Sequence, residues 1–189
     1  AAGWFGQTLL RRAQTADGFR ERLVAFWTDH FTAQGKVQSL ILSQANYAEE
    51  AIRPHIKGRF ADMLRATTTH PLMLHYLDQI SSIGPNSRVG GPYSQDDVRA
   101  FANLLTGLGF DYKRGFSFRN AASEPGEHAV LDGLYYGGGG LDAIHAALDD
   151  LATHPATARH IAGKLAVHFV GDSPAPALVE ALEARFNDT

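Results

Sequence analysis

Along most of the chain, apolar residues recur every three or four positions, the spacing that lines one face of an α-helix. In "DGFRERLVAFWTDHF", which begins at Asp17, the side chains of Phe19, Leu23, Phe26, Trp27 and His30 fall within about 100° of one another at helical pitch, with Arg20, Arg22 and Asp29 elsewhere. The spacing predicts an amphipathic helix with a histidine in its apolar stripe. "NYAEEAIRPHI" continues helically, with Glu49 and Glu50 at i,i+4 and i,i+3 from Arg53, until Pro54 removes a backbone donor and interrupts or kinks it. "GRFADMLRATTTHP" adds a further short helix. "YSQDDVRAFANLLTGLGFD" opens on a capping-box pattern at Ser94 and Asp97, aligns Val98, Phe101, Leu105 and Leu108, and stops at Gly107 and Gly109. Beyond it the period falls to two: "YKRGFSFRN" and "HAVLDGLYY" predict short strands pairing across "AASEPGE". Three more helices are expected from about Leu141, Pro155 and Pro174, the last carrying Leu178, Leu182 and Phe186 at i, i+4 and i+8. The fold class is therefore mainly α: an irregular helical bundle with one short β-hairpin between Tyr112 and Tyr136, built as a single domain over residues 1–189.

Two stretches echo each other. "LRATTTHPLMLHYLD" (64–78) and "LDDLATHPATARHIA" (148–162) both place Thr-His-Pro before an apolar run, with a second histidine soon after. Helix initiation accounts for the echo: Thr69 or Thr153 can cap free N–H groups, and Pro71 or Pro155 suits the first turn, where its missing donor costs nothing. The second histidine follows five residues after His70 but six after His154, so the two would not project from equivalent places. Two echoes also fall short of the roughly three units that a stacked repeat needs.

Composition narrows the function classes more than it selects one. With 17 basic against 20 acidic residues and a net charge of -3, no basic footprint for nucleic acid or an anionic membrane is present. The absence of cysteine removes disulfides, thiolate metal sites and cysteine nucleophiles together. A 44% apolar content gives a chain of this size enough material for one substantial core or two small ones. No apolar stretch reaches the ~18 residues of a membrane span. The opening "AAGWFGQTLLRRAQT" lacks an initiator methionine, and its arginines follow the apolar part instead of preceding it, so the start is expected to be internal: a leader was cleaved, or the chain is a piece of something longer.

In this order, "LVAFWTDHF", "EEAIRPHIKGRFADMLRATTTHPLMLHYLD", "YSQDDVRAFANLLTGL", "FSFR" with "EPGEHAVL", and "LATHPATARHIAGKLAVHFVGDSPAPALVEALEARF" make a joint pattern. It resembles the bacterial family called domain of unknown function 1800, over nearly the whole chain from about Leu23. The resemblance implies a mostly helical protein, longer full-length members, frequent export to the periplasm or medium, and frequent encoding beside a second exported protein; a cytoplasmic location is the alternative. It implies no activity. Members carry a polar segment (Asn-Glu-Asn, Ala-Arg-Glu, Glu-Leu-His-Thr-Leu-Gly) where Arg88 here runs directly into Val89, so a piece of the family pattern is expected to be missing between them. Thr28 stands where members often have a second histidine ahead of His30, which weakens a two-histidine metal proposal.

The candidate catalytic residues are His30, Arg53, His55, His75 and Asp78. A histidine in an apolar stripe needs a polar partner or a hydrogen-bonded neutral ring, since burying it unsatisfied costs about 1–3 kcal/mol. His75 and Asp78, at i,i+3, can form an oriented imidazole and carboxylate pair on the polar side of a helix, although a solvated helix face is the favoured explanation. His160, Lys164 and His168 read as solvent-facing or border positions. No His-Glu-x-x-His, calcium loop, Gly-x-Ser-x-Gly or Gly-Lys-Ser/Thr occurs, and Asp142 opposes a phosphate at the glycines 137–140. Metal, cofactor and small-molecule ligand are left unknown. Two functions follow: a non-catalytic exported or envelope-associated protein that binds another exported protein, or a hydrolase with a histidine-centred site, with metal assistance left open.

Overall fold

Proline sets where several of the helices begin, and through them the path of the chain. A computed structural model describes residues 2–35, 44–77, 95–111, 113, 115–130 and 134–188. Contacts divide the chain into two units, Ala1–Tyr76 and Leu77–Thr189.

In the first unit, α1 (Ala2–Gln14) is followed by α2 (Gly18–His30), whose N-terminus is capped by the Asp17 carboxylate accepting the Arg20 N–H at 3.0 Å. Next, α3 (Gln44–Tyr47) widens into a π turn (Ala48–Ile52) and tightens into a 3-10 turn (Arg53–His55). Pro54 supplies the reason. It has no N–H to give, so the regular ladder cannot run through it; the Arg53 N–H reaches back five residues to Ala48 instead. Two short helices complete the unit, α4 (Phe60–Thr69) and α5 (Pro71–Tyr76). Both α2 and α4 pack on the π turn, and α4 also meets α5. The core holds Val24, Phe26, Trp27, Ile52, Met63, Leu72 and Leu74.

The α2 stripe departs from expectation at its start. Phe19 is 64% exposed, whereas Glu21, assigned to no apolar face, is only 9% exposed. The reason is a cation waiting inside: Arg53 on the 3-10 turn pairs with Glu21, so rotation of the helix is set by that pair as well as by the aromatic residues.

The Thr-His-Pro echo also resolves differently in detail. His70 and His154, not the threonines, are the caps. Each ring Nδ1 accepts the backbone N–H two residues on, from Leu72 and Ala156, at 3.1 Å in both cases. Their backbones nearly coincide, φ/ψ -67/135 and -65/135, as expected for a residue whose helical conformation is blocked by the following proline. The threonines finish the preceding helix: Thr69 donates to the Arg65 carbonyl and Thr153 to that of Asp149. Thr-His-Pro is thus a helix stop joined to a helix start.

In the second unit, α6 (Gln95–Leu104) ends earlier than its apolar spacing suggests, and Leu108 already belongs to a strand. Gly107 turns the chain there with φ +91; a Cβ at this position would lie 2.9 Å from the Phe118 ring and 3.0 Å from the Arg119 carbonyl. The strands then pair locally. β1 (Leu108–Asp111) is antiparallel to β2 (Gly115–Phe118), with Leu108 opposite Phe118. β3 (His128–Val130) is antiparallel to β4 (Leu134–Tyr136), with His128 opposite Tyr136. The expected pairing of "FSF" with "HAV" across 121–127 therefore gives way to two ladders. Closing a short loop costs less chain entropy than closing the longer one, and "LGFD" stands ready beside "FSF". The mainly helical class holds.

Three helices end the chain: α7 (Gly140–Thr153), α8 (Pro155–Phe169) and α9 (Pro176–Asn187). α8 buries Ala158, Ile161, Ala162 and Ala166 and packs on both its neighbours. α9 begins at Pro176 instead of Pro174, and its stripe of Leu178, Leu182 and Phe186 is half-buried. Asp78, Arg88, Val89, Ser94 and Tyr112 lie outside the described residues.

The cap geometry gives a direct expectation. His154→Ala should destabilise the chain by about 1 kcal/mol in denaturant unfolding followed by far-ultraviolet circular dichroism, while His154→Asn, which can still accept the Ala156 N–H, should recover most of the loss. Equal losses in both variants would show that the ring acts through packing alone.

Candidate functional site

The first unit assembles its charged residues around the π turn. Arg53 donates from Nη1 to Glu21 Oε1 at 2.6 Å and from Nη2 to Glu21 Oε2 at 3.0 Å, a two-pronged pair shielded from solvent. Its Nε meets the Glu49 carboxylate at 3.1 Å, one helical turn back, as the i,i+4 spacing foretold. Glu49 in turn accepts from Arg11 on α1. Hydrogen bonding from Arg53, working against burial, holds the Glu21 carboxyl below its ordinary range. The same bond to Glu21 strengthens the proton affinity of Arg53. Each of the three guanidinium nitrogens thereby donates to a carboxylate, which neutralises Arg53 from two sides and makes it a clamp between α2 and the π turn.

His30 sits at the last turn of α2, half-buried in a group of aromatic rings. Its ring stacks on Phe26 at 6.2 Å and meets Trp27 and Phe31 edge-on at 5.6 and 4.7 Å. Phe60 from α4 closes the group against Trp27 at 5.3 Å. His30 is therefore carried inward by its helix. Thr28 is turned to its own helix, donating to the Val24 carbonyl at 2.7 Å. His55 is half-buried on the 3-10 turn beside Pro54. His75, on α5, is half-buried as well, and its Nδ1 is shut off from solvent without a hydrogen-bond partner. Asp78 lies outside the described residues. Of the five candidates, then, Arg53 has Glu21 and Glu49 as polar partners, not the candidate histidines. Among the described residues no group of three His, Asp or Glu side chains stands ready for a metal ion.

Other polar groups escaped the sequence reading. Tyr47 is 2% exposed, lies edge-on to the His70 ring at 4.9 Å, and its buried hydroxyl lacks a well-formed hydrogen bond. Burial pushes that phenol well above its usual range. His70 Nε2 approaches Glu50 Oε2 at 3.4 Å. Burial lowers the affinity of the His70 ring for a second proton, more than Glu50 raises it. In the second unit, buried His128 points Nε2 at the Glu124 carbonyl, 3.3 Å away, and its cross-strand neighbour Tyr136 donates to Asp150 on α7 at 2.6 Å. Period-two spacing could have marked His128 and Tyr136 as inward positions. Nothing in the local sequence announces Asp150 as the partner.

The family model described as Protein of unknown function (DUF1800) matches residues 3–189. This chain belongs to the DUF1800 family. No curated protein and no solved structure matches it. Family membership brings no activity with it, so chemistry in this DUF1800 chain has to be read from its own side chains. The stretches that carry the family likeness coincide with the features just described: "EEAIRPHI" forms the π and 3-10 turns, and the two Thr-His-Pro segments form the capped junctions. No helix among the described residues is long and apolar enough to cross a membrane.

The Glu21 carboxyl binds its proton less readily folded than unfolded, so the pair's contribution is complete above about pH 4.5 and is lost as pH falls through the lower folded value. Glu21→Gln should cost about 2 kcal/mol at neutral pH. Trp27 is buried in the core of the first unit, so its fluorescence follows that unit's unfolding. In denaturant titrations read this way, the gap between wild type and variant should narrow as pH is lowered below 4.5; a gap that does not change with pH would contradict the pair's assigned role.

Proposed function

We propose that this protein is a non-catalytic, exported or envelope-associated bacterial protein whose role is to bind another exported protein. The observation that carries this reading is on α1. Leu9 and Leu10, adjacent in sequence, are 50% and 57% exposed, and every residue from 9 to 14 lies at the surface. Covering one leucine fully is worth about 1.5–3 kcal/mol, so two neighbouring leucines left in water favour a partner that removes them from it. Arg11, between them and the π turn, ties this helix to Glu49. The mild net charge of -3 fits a protein partner better than nucleic acid. Support for export comes from the family resemblance.

The test is a photo-crosslinker at position 9 in the native host, followed by reconstitution from purified components. The expected result is one exported partner that binds the purified chain, with Leu9→Glu/Leu10→Glu weakening the dissociation constant at least tenfold at unchanged circular dichroism. A purified chain that binds no such partner, or binds it equally well with both leucines replaced, would overturn the proposal.

A second reading is a hydrolase with a histidine-centred site, with or without metal assistance, drawn from His30, Arg53, His55, His75 and Asp78. What favours it is the bare Nδ1 of His75. A buried nitrogen without a partner costs about 1–3 kcal/mol, which a bound ligand atom or a proton in transit would offset. Hydrolysis of an ester and phosphoester panel, with total metal analysis, by wild type and His75→Ala decides it. Turnover lost in a folded variant supports the reading, whereas equal background rates and no bound metal in either protein exclude it.

A further inference from the structure

The junction between α4 and α5 makes an unusual demand on one side chain. His70 Nδ1 must be bare in order to accept the Leu72 N–H at 3.1 Å, so the proton of the neutral ring sits on Nε2, which faces Glu50 Oε2 at 3.4 Å. The ring has one tautomer that serves both contacts. A second proton can go only to Nδ1, where it would point at the Leu72 N–H and turn an acceptor into a donor. We propose that the His70 junction is a proton-operated hinge: protonation removes the cap of α5 and lets its first turn open, while the ring is drawn to Glu50 as an ion pair.

What the cap holds down matters to the whole unit. Leu72 and Leu74, directly after it, are 0% and 1% exposed, and α5 is only six residues long. A helix so short has little stability of its own and depends on its cap and its buried face. Pro71 provides no N–H and cannot substitute for the lost bond.

Groups from each neighbouring element meet the ring or are committed elsewhere. Tyr47 from α3 presents its edge at 4.9 Å, and Glu50 comes from the π turn. Glu49 and Arg53 are bonded to each other, and the buried Thr67 hydroxyl donates to the carbonyls of its own helix. Glu50 is the charge that acts on His70; Asp62 and Arg65 on α4, His55 on the 3-10 turn and His75 on α5 exert no comparable pull. Burial outweighs Glu50, so the ring takes its second proton below the ordinary value of 6.5. The sign follows: the junction is closed above that value and opens as pH falls through the lower folded one.

The experiment is nitrogen-15 spectroscopy of the His70 ring in the full chain, combined with hydrogen exchange at the Leu72 amide. The expected results are the Nε2–H tautomer at neutral pH, a titration midpoint below 6.5, and a protection factor at Leu72 that drops more than tenfold across that midpoint. Glu50→Gln should lower the midpoint further. His70→Asn, a cap that does not titrate, should keep Leu72 protected throughout. An Nδ1–H tautomer in the wild type, or Leu72 protection that ignores the state of the ring, overturns the proposal even if the His70→Asn chain fails to fold.

Discussion

A carboxylate turned inward obliges the fold to bring it a cation. Glu21 lies on the face of α2 where apolar residues belong, and its desolvation would be prohibitive without the two-pronged bond from Arg53. That bond reaches across 32 residues and fixes the 3-10 turn against α2. Other features hang on it. The π turn ahead of Pro54 presents Glu49 to the far side of the same guanidinium, and Glu49 reaches Arg11 on α1. The aromatic group of Phe26, Trp27, Phe31 and Phe60, with His30 among them, fills the adjoining space. Apolar packing supplies most of the unit's stability; the ion pair sets which way α2 faces.

Histidine serves several purposes here, and each is decided by surroundings. At His70 and His154 the imidazole replaces the usual short polar cap because proline occupies the next position and holds the backbone extended. At His30 the ring behaves as one more aromatic plate. At His128 the buried ring meets the Glu124 carbonyl beside a strand pair. Among the described residues, His75 is the histidine that keeps a buried nitrogen unsatisfied, and that asymmetry makes it the one with chemistry left to explain.

Much of this was legible in the chain beforehand. Helical spacing located α2, α4, α7 and α8 because their buried faces recur at helical intervals. The interruption at Pro54 followed from its missing donor. Orientation was harder: Phe19 and Glu21 exchanged places because a contact 32 residues away overrode the local pattern. The strand segments near 116 and 128 were recognisable, yet their pairing was not, since period-two spacing marks a strand without naming its neighbour. For the caps the signal was present and misassigned. A proline in the first helical position makes the residue just before it the cap, and that residue is histidine in both copies. The polar partners, Glu21 for Arg53 in the first unit and Asp150 for Tyr136 in the second, depend on tertiary proximity that no spacing rule encodes.

Arg53 is the clamp of the first unit, which moves the functional question to the exposed leucines of α1 and the bare nitrogen of His75. A double-mutant cycle of Glu21→Ala and Arg53→Ala, read by tryptophan fluorescence in denaturant, tests this most directly. The account predicts a coupling energy of about 1–3 kcal/mol between the two positions. Losses that simply add, to within about 0.3 kcal/mol, would contradict it.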